Sequence, residues 1–363
     1  MRVVVAGWVG STNLGDELAL AGLRRLLQGR GAQVAAVSAD PAATRRVHGV
    51  GAVRHDRPDH LSAAIGRADA MVFGGGGIVQ DVTSPLNLPY HLARVQLARA
   101  YRTPYAAVGL GIGGLDTRAG CWQVRHGLRG AVGITVRDTA SRELLAEVGV
   151  PGARVASDLA FALDPPATRS AGDGDRLVAC LRPWSERRSR LPVAARGDAT
   201  PQPHVDALAR ALDEASHATG LTVRFVALQA DRDGPFHRRV AARMRQPVEF
   251  ALPELDGVLE EFTQARAVVS MRYHGGVAAA LAGLPVVMIS YALKVDALAA
   301  ELGDGARRLG WEPAELERIP AALAAVVDRR EVVLAARDAL RERQQVNAGL
   351  LDELLDAAAR RRR

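Results

Sequence analysis

Short, almost wholly apolar runs alternate along the chain with stretches in which apolar positions recur every three or four residues. Arg2 to Ala6 reads as a buried strand, followed by a glycine-rich turn and a helix from about Asp16 to Gln28 that stops near Gly29 and Gly31. Gln33 to Val37 predicts a second strand. Ala70 to Phe73 predicts another, ending in Gly74-Gly75-Gly76-Gly77. A helix over Tyr90–Tyr101 leads to a strand over Tyr105–Val108 that ends in Gly109, Gly111, Gly113 and Gly114. A strand over Gly133–Val136 and a helix over Thr139–Val148 complete this half. Strands apolar throughout and separated by helices imply a parallel sheet covered on both faces.

At Pro165 to Asp175 the pattern gives way to Pro, Ser, Gly and Asp, as in an interdomain linker. The alternation then restarts. Strands are predicted at Leu177–Leu181, Val223–Ala227, Ala267–Ser270 and Val286–Ile289. Helices are predicted at Val205–Ala218, Phe236–Met244, Leu255–Gln264, Gly275–Ala282 and Val295–Glu301. Residues 182–203 form a Pro- and Arg-rich loop, and Pro320 to Arg363 is helical and charged. The expected organisation is α/β: two Rossmann-like, doubly wound domains, 1–165 and 175–310, then a helical segment over 311–363. Such halves face a cleft, and ligands lie beyond the carboxyl ends of the strands.

Composition agrees with a folded chain: 48% of the 363 residues are hydrophobic and 24% charged. No apolar run approaches the ~18 residues of a membrane helix. The start lacks the apolar core and cleavage site of a signal peptide, so a cytoplasmic protein is expected. Cys121 and Cys180 are too few for a disulfide framework, and no metal-ligand spacing is found. The net charge of +7 suits an anionic small substrate, a membrane surface or nucleic acid. Aromatic residues are only 4%, and without a stacking platform no specific nucleic-acid partner is expected. All but one of the 47 cationic side chains are arginine. The exception, Lys294, points to a site that needs a compact ammonium.

Six strand-end turns carry candidate chemistry. In Gly7-Trp8-Val9-Gly10-Ser11-Thr12-Asn13-Leu14-Gly15-Asp16-Glu17 the glycine spacing matches neither a dinucleotide fingerprint nor a phosphate-binding loop. Asp16 and Glu17 fit helix capping and a general base equally well. Gly74 to Gly77, with Gln80 and Asp81 after them, let a backbone approach a ligand closely, and Gly109 to Gly114 do so more weakly. Arg137 suits a carboxylate or phosphate, or a structural pair with Asp138 or Asp158. Arg272 and His274 follow one strand and Lys294 the next, and adjacent strand ends would set His274 and Lys294 side by side over helix N-termini, as in an anion site.

Taken in series, these residues resemble the polysaccharide pyruvyl transferase family, most closely its CsaB branch. The carriers are Gly7-x-x-Gly10-x-x-Asn13-Leu14-Gly15-Asp16-Glu17, Gly74-Gly75-Gly76-Gly77-x-x-Gln80-Asp81-x-Thr83-Ser84 and Gly109-x-Gly111-Ile112-Gly113. Val136-Arg137-Asp138, Ser270-Met271-Arg272-Tyr273-His274 and Ile289-Ser290-Tyr291-x-x-Lys294-Val295 follow in the family's order. Tyr273 stands where Leu or Phe is common, and Gly275-Gly276 where Ala is common. The resemblance implies a glycosyltransferase-B-like fold. It implies transfer of pyruvate from phosphoenolpyruvate, a co-substrate in a reaction without other cofactor, onto two hydroxyls of one sugar as a cyclic ketal. It assigns phosphoenolpyruvate binding to Arg137, His274 and Lys294, with Arg272 on the same turn, and acceptor service to Asp16; the catalytic pair expected for such a transfer is Asp16 as base for the hydroxyl proton and His274 as acid. Asn13, Gly15, Glu17, Gly75, Gly76, Gln80 and Asp81 count as acceptor or ligand-turn residues. The implied acceptor is a lipid-linked or polymer-bound sugar, often N-acetylmannosamine. The arginines at 182–196 and 360–363 suit a peripheral visit to the inner membrane surface, or simply solvation. The alternative on the same fold is a nucleotide-sugar glycosyltransferase.

Overall fold

The computed structural model describes residues 1–82, 84, 86–166, 174–185 and 199–362. Most of the linker expected at 165–175, most of the loop at 182–203, Thr83 and Arg363 lie outside the described residues. Among the described residues the chain forms two parallel sheets, one in each of two units. The first unit comprises Met1–Ser11, Asp16–Leu163 and Leu340–Arg363, and the second Thr12–Gly15 and Asp164–Ala339.

In the first unit β1 (Arg2–Val9), β2 (Gln33–Ser38), β3 (Gly51–Arg54), β4 (Ala70–Val79), β5 (Tyr105–Ile112), β6 (Ile134–Val136) and β7 (Arg154–Val155) lie in the order β3-β2-β1-β4-β5-β6-β7. Alternate residues of β1 feed opposite faces. Val4 and Ala6 join a core with α3 (Pro58–Gly66), α4 (Asn87–Ala100), α5 (Arg118–Leu128) and α6 (Thr139–Glu147). Val3 and Val5 pack with α1 (Leu14–Gln28) and, from the far end of the chain, α14 (Gln344–Arg362). Local chemistry sets the helix ends. Asp40 accepts from the N–H groups of Ala42 and Ala43 to start α2 (Pro41–His48), and left-handed Gly49 ends it.

In the second unit β8 (Arg176–Cys180), β9 (Thr222–Val226), β10 (Val248–Ala251), β11 (Ala265–Ser270), β12 (Val286–Ile289) and β13 (Ala306–Leu309) lie in the order β10-β9-β8-β11-β12-β13. Its helices are α7 (Gln202–Thr219), α8 (Ala230–Ala241), α9 (Tyr273–Leu281), α10 (Leu293–Leu302), α11 (Pro313–Leu316), α12 (Ile319–Val326) and most of α13 (Arg330–Glu342).

Three expectations need correction. Neither Gly74 to Gly77 nor Gly109 and Gly111 form a turn, because β4 runs through the first set to Val79 and β5 through the second to Ile112, the two strands being paired. The helix expected over Leu255–Gln264 is a pair of short 3-10 turns, Leu255–Gly257 and Glu260–Phe262. The helix expected from Phe236 begins at Ala230, with Pro235 inside it. As the sixth residue of that helix, Pro235 has no N–H to give the Asp231 carbonyl, so one intrahelical bond is forgone there.

Candidate functional site

The first unit gathers its candidate residues where β1 and β4 end. A Cβ on Gly7 would stand 2.6 Å from the Gly74 carbonyl oxygen, so only glycine allows the two strands to approach this closely. Glu17 is turned inward. One carboxylate oxygen accepts from the Gly10 N–H at 2.9 Å, and the other lies 2.7 Å from Nε2 of the buried His48. Asp16 instead lines a small pocket with Trp8, Val9, Leu20, Gly74 and Gly75. Gly76 is buried at φ +86, and a Cβ there would lie 2.7 Å from Asp16 Oδ1. The glycines of β4 thus leave room for a carboxylate rather than forming a loop around an anion.

The two residues after β4 hold the neighbouring backbone. The Asp81 carboxylate accepts from the N–H groups of Asp116 and Thr117 at 2.7 and 3.0 Å and from the Thr117 hydroxyl at 2.5 Å. The Gln80 carbonyl accepts from Asn87 Nδ2 at 2.8 Å, and a Cβ on Gly113 would lie 2.6 Å from Gln80 Cβ. Arg137, at the end of β6, is 4% exposed. Its guanidinium lies 3.3 Å from Asp138 and 3.5 Å from Asp158, against the bare face of Gly111, where a Cβ would collide with it. Both pairings suggested for Arg137 by the sequence are present.

In the second unit, Thr12 to Gly15 lie on the carboxyl end of β9. The Leu14 N–H donates to the Leu228 carbonyl at 2.8 Å, Asn13 bridges Gln229, and the Thr12 hydroxyl donates to Asp231 at 2.7 Å. The missing side chain of Gly15 is occupied space: a Cβ would fall on the His274 imidazole. His274 stands in the first turn of α9, 8% exposed, with the Tyr273 ring edge-on at 5.1 Å. Arg272, at the N-cap of α9, forms a buried pair with Asp233 of α8 and donates to Gln229 at 3.1 Å.

Lys294 lies in the first turn of α10, its Nζ 5.9 Å from the centre of the Tyr291 ring. The Tyr291 hydroxyl is 3.1 Å from Arg182 Nη1, and the Trp184 ring lies 4.5 Å from the tyrosine ring. Burial pushes the Tyr291 phenol up, but Arg182, Lys294 and Arg272 outweigh it and bring it down to about 7. Burial, with Arg182 and Arg272 nearby, pushes the Arg232 guanidinium down, as expected where cations crowd. Burial also pushes the Cys180 thiol up, which leaves it a poor nucleophile.

The structure therefore brings Arg272 and Lys294 together around Tyr291, and His274 together with Gly15. Arg182, Trp184, Asp233 and Tyr291 are additions to the predicted set. Arg182 and Tyr291 each stand two residues past the end of a strand, the signal that would have found them. Among the described residues no cluster of His, Cys, Asp and Glu could hold a metal ion, and no helix is long and apolar enough to cross a membrane.

Solved structures share the fold at low identity. A UDP complex of MnaA from S. aureus matches with a TM-score of 0.61 at 12% identity, covering 93% of this chain and 91% of that one. UDP-GlcNAc 2-epimerase from Neisseria meningitidis bound to UDP-GlcNAc gives 0.60 at 11%, covering 98% and 100%. The calicheamicin glycosyltransferase CalG4 gives 0.52 at 15%, covering 99% and 97%. The architecture is thus the glycosyltransferase-B fold of epimerases and glycosyltransferases. No curated protein sequence matches the chain significantly. The family model for polysaccharide pyruvyl transferase matches residues 13–292, a span that includes Asn13, Asp16, Arg137, His274 and Tyr291, and the chain belongs to that enzyme family.

Proposed function

We propose that the enzyme moves pyruvate from phosphoenolpyruvate onto two hydroxyls of a cell-wall or exopolysaccharide sugar, forming a cyclic ketal and releasing phosphate. The observation that carries this reading is the gathering of Arg182, Arg272 and Lys294 around Tyr291, beside the first turns of α9 and α10. A donor with a carboxylate and a phosphate calls for several cations and helix N-termini. In this reading the second unit serves the donor through Arg272, His274 and Lys294, and the first serves the acceptor through Asp16, which takes a hydroxyl proton. His274 pairs with the phosphate and supplies the proton with which it leaves. Arg137, already balanced by Asp138 and Asp158, adds to donor binding. The motif series favours a CsaB-like enzyme with a lipid-linked N-acetylmannosamine acceptor, acting in the cytoplasm with peripheral visits to the membrane.

Thermal stability with phosphoenolpyruvate tests this reading, because a ligand bound only to the folded state stabilises it by RT ln(1 + [L]/Kd). A rise in melting temperature is expected for the wild type and not for Lys294→Ala. The fold-sharing complexes with UDP and UDP-GlcNAc favour a second reading, a nucleotide-sugar enzyme. No shift with phosphoenolpyruvate, beside a clear shift with UDP, would establish that one instead.

A further inference from the structure

Tyr291 has surroundings that packing alone does not require. Its ring rests on Trp184, and its hydroxyl is held by Arg182 from the segment after β8. Lys294 approaches from α10 and Arg272 from the head of α9. From α8 come Asp233, which is buried against Arg272, and Arg232, which lies near both arginines. The Arg182 guanidinium also lies 5.1 Å from the centre of the Tyr291 ring. A buried arginine Nε–H without a hydrogen-bond partner usually costs stability, and Arg182 Nε is in that state. The phenol oxygen is thus fixed in direction beside cations, the arrangement of a group that must carry charge at one stage of a reaction and lose it at another.

We propose that Tyr291 is the proton donor to the methylene carbon of the enolpyruvyl group, a role that rests on phosphoenolpyruvate being the donor substrate. The O–H bond of Tyr291 breaks, and the C2–C3 π pair forms the new C3–H bond. C2, left electron-poor, is stabilised by its bridging oxygen until the first sugar hydroxyl bonds to it. That hydroxyl's proton goes to Asp16. Phosphate leaves with the C–O bonding pair and takes its proton from His274, and the second hydroxyl oxygen bonds to C2 to close the ketal as its O–H bond breaks and its proton passes to solvent. Solvent restores the Tyr291 and His274 protons, and Asp16 returns its own. The cations serve twice: they hold the donor anion, whose charge keeps the phenol protonated before transfer, and they stabilise the phenolate afterwards.

The test combines absorbance with kinetics. The unliganded wild type should show the near-ultraviolet band of one tyrosinate growing in near pH 7, set apart from the other four tyrosines. Phosphoenolpyruvate should suppress that band near neutral pH, and Tyr291→Phe should lack it. Tyr291→Phe should bind phosphoenolpyruvate in the melting assay yet release phosphate about 10²- to 10⁴-fold more slowly, the usual range for a lost acid or base. A variant with wild-type turnover, or a wild type with no tyrosinate in that range, would overturn the proposal. The wild-type titration decides even if the variant fails to fold. Absence of phosphoenolpyruvate binding by wild type would overturn the donor assignment itself, whereas binding with unchanged Tyr291→Phe turnover would overturn only the role of Tyr291.

Discussion

Gly15 matters for the atom it lacks. Because a Cβ there would fall on the His274 imidazole, Gly15→Ala must displace the ring, and the substitution is otherwise small. Phosphate release is expected to fall about 10²-fold, the effect of a misplacement near 1 Å at a reacting centre. Kinetics on the purified variant, with circular dichroism to confirm its fold, would check this, and wild-type turnover would mean that the ring position is immaterial. Asp233 makes the opposite kind of contribution. It is wholly buried and balances Arg272, so Asp233→Ala removes the carboxylate that offsets a buried guanidinium. Breaking such a pair costs about 3–5 kcal/mol, which denaturant unfolding would measure. The sequence marked Gly15, Arg272 and His274 by type and place. It did not show Asp233, because the helix was expected only from Phe236, which left that carboxylate outside any predicted element.

The β4 strand separates two glycine roles that the sequence shows as one run. Gly75 and Gly76 both have positive φ, +80 and +86, which costs an alanine about 1–2 kcal/mol at either position. They differ in their neighbours. At Gly75 the nearest atom to a Cβ is a leucine methyl at 3.6 Å, whereas at Gly76 it is Asp16 Oδ1 at 2.7 Å. Gly75→Ala and Gly76→Ala should therefore lose similar stability, while only Gly76→Ala loses activity heavily. Paired melting and turnover measurements decide the matter, and equal activities would remove Asp16 from the chemistry. The central strands were legible because burial on both faces leaves long apolar runs. The four edge strands β3, β7, β10 and β13 have only two to four residues each, too few for a period to register. The passage of β4 through four glycines was hidden because glycine ordinarily weakens a strand.

At the scale of the molecule, helical periodicity after residue 310 was plain, but periodicity marks an apolar face and not the surface that covers it. The last helix returns to the first unit. Asn347 donates to the Ser157 carbonyl and accepts from Thr135, Leu350 and Leu354 enter the core, and Arg362 pairs with Asp69. Each unit also buries a histidine whose charge is disfavoured. Burial pushes His91, in the first unit, down to about 3, and His237, in the second, down to about 4. His237 donates from Nε2 to the Leu181 carbonyl, as the neutral ring does. In the unfolded chain both groups return to about 6.5. Between that value and the folded ones the unfolded state binds more protons than the folded state, so stability falls as pH falls. Below about 3 to 4 the two histidines add no further loss. The ion-paired carboxylates Asp69 and Asp352 have folded values below their ordinary one, so their contribution disappears only in more acid solution. Acid weakening that begins near pH 6 is therefore a histidine signature. Melting temperature against pH should slope upward from about 4 to 6.5 in the wild type, and His91→Gln with His237→Gln should flatten that slope. A slope that survives the double substitution would assign the acid sensitivity to other groups.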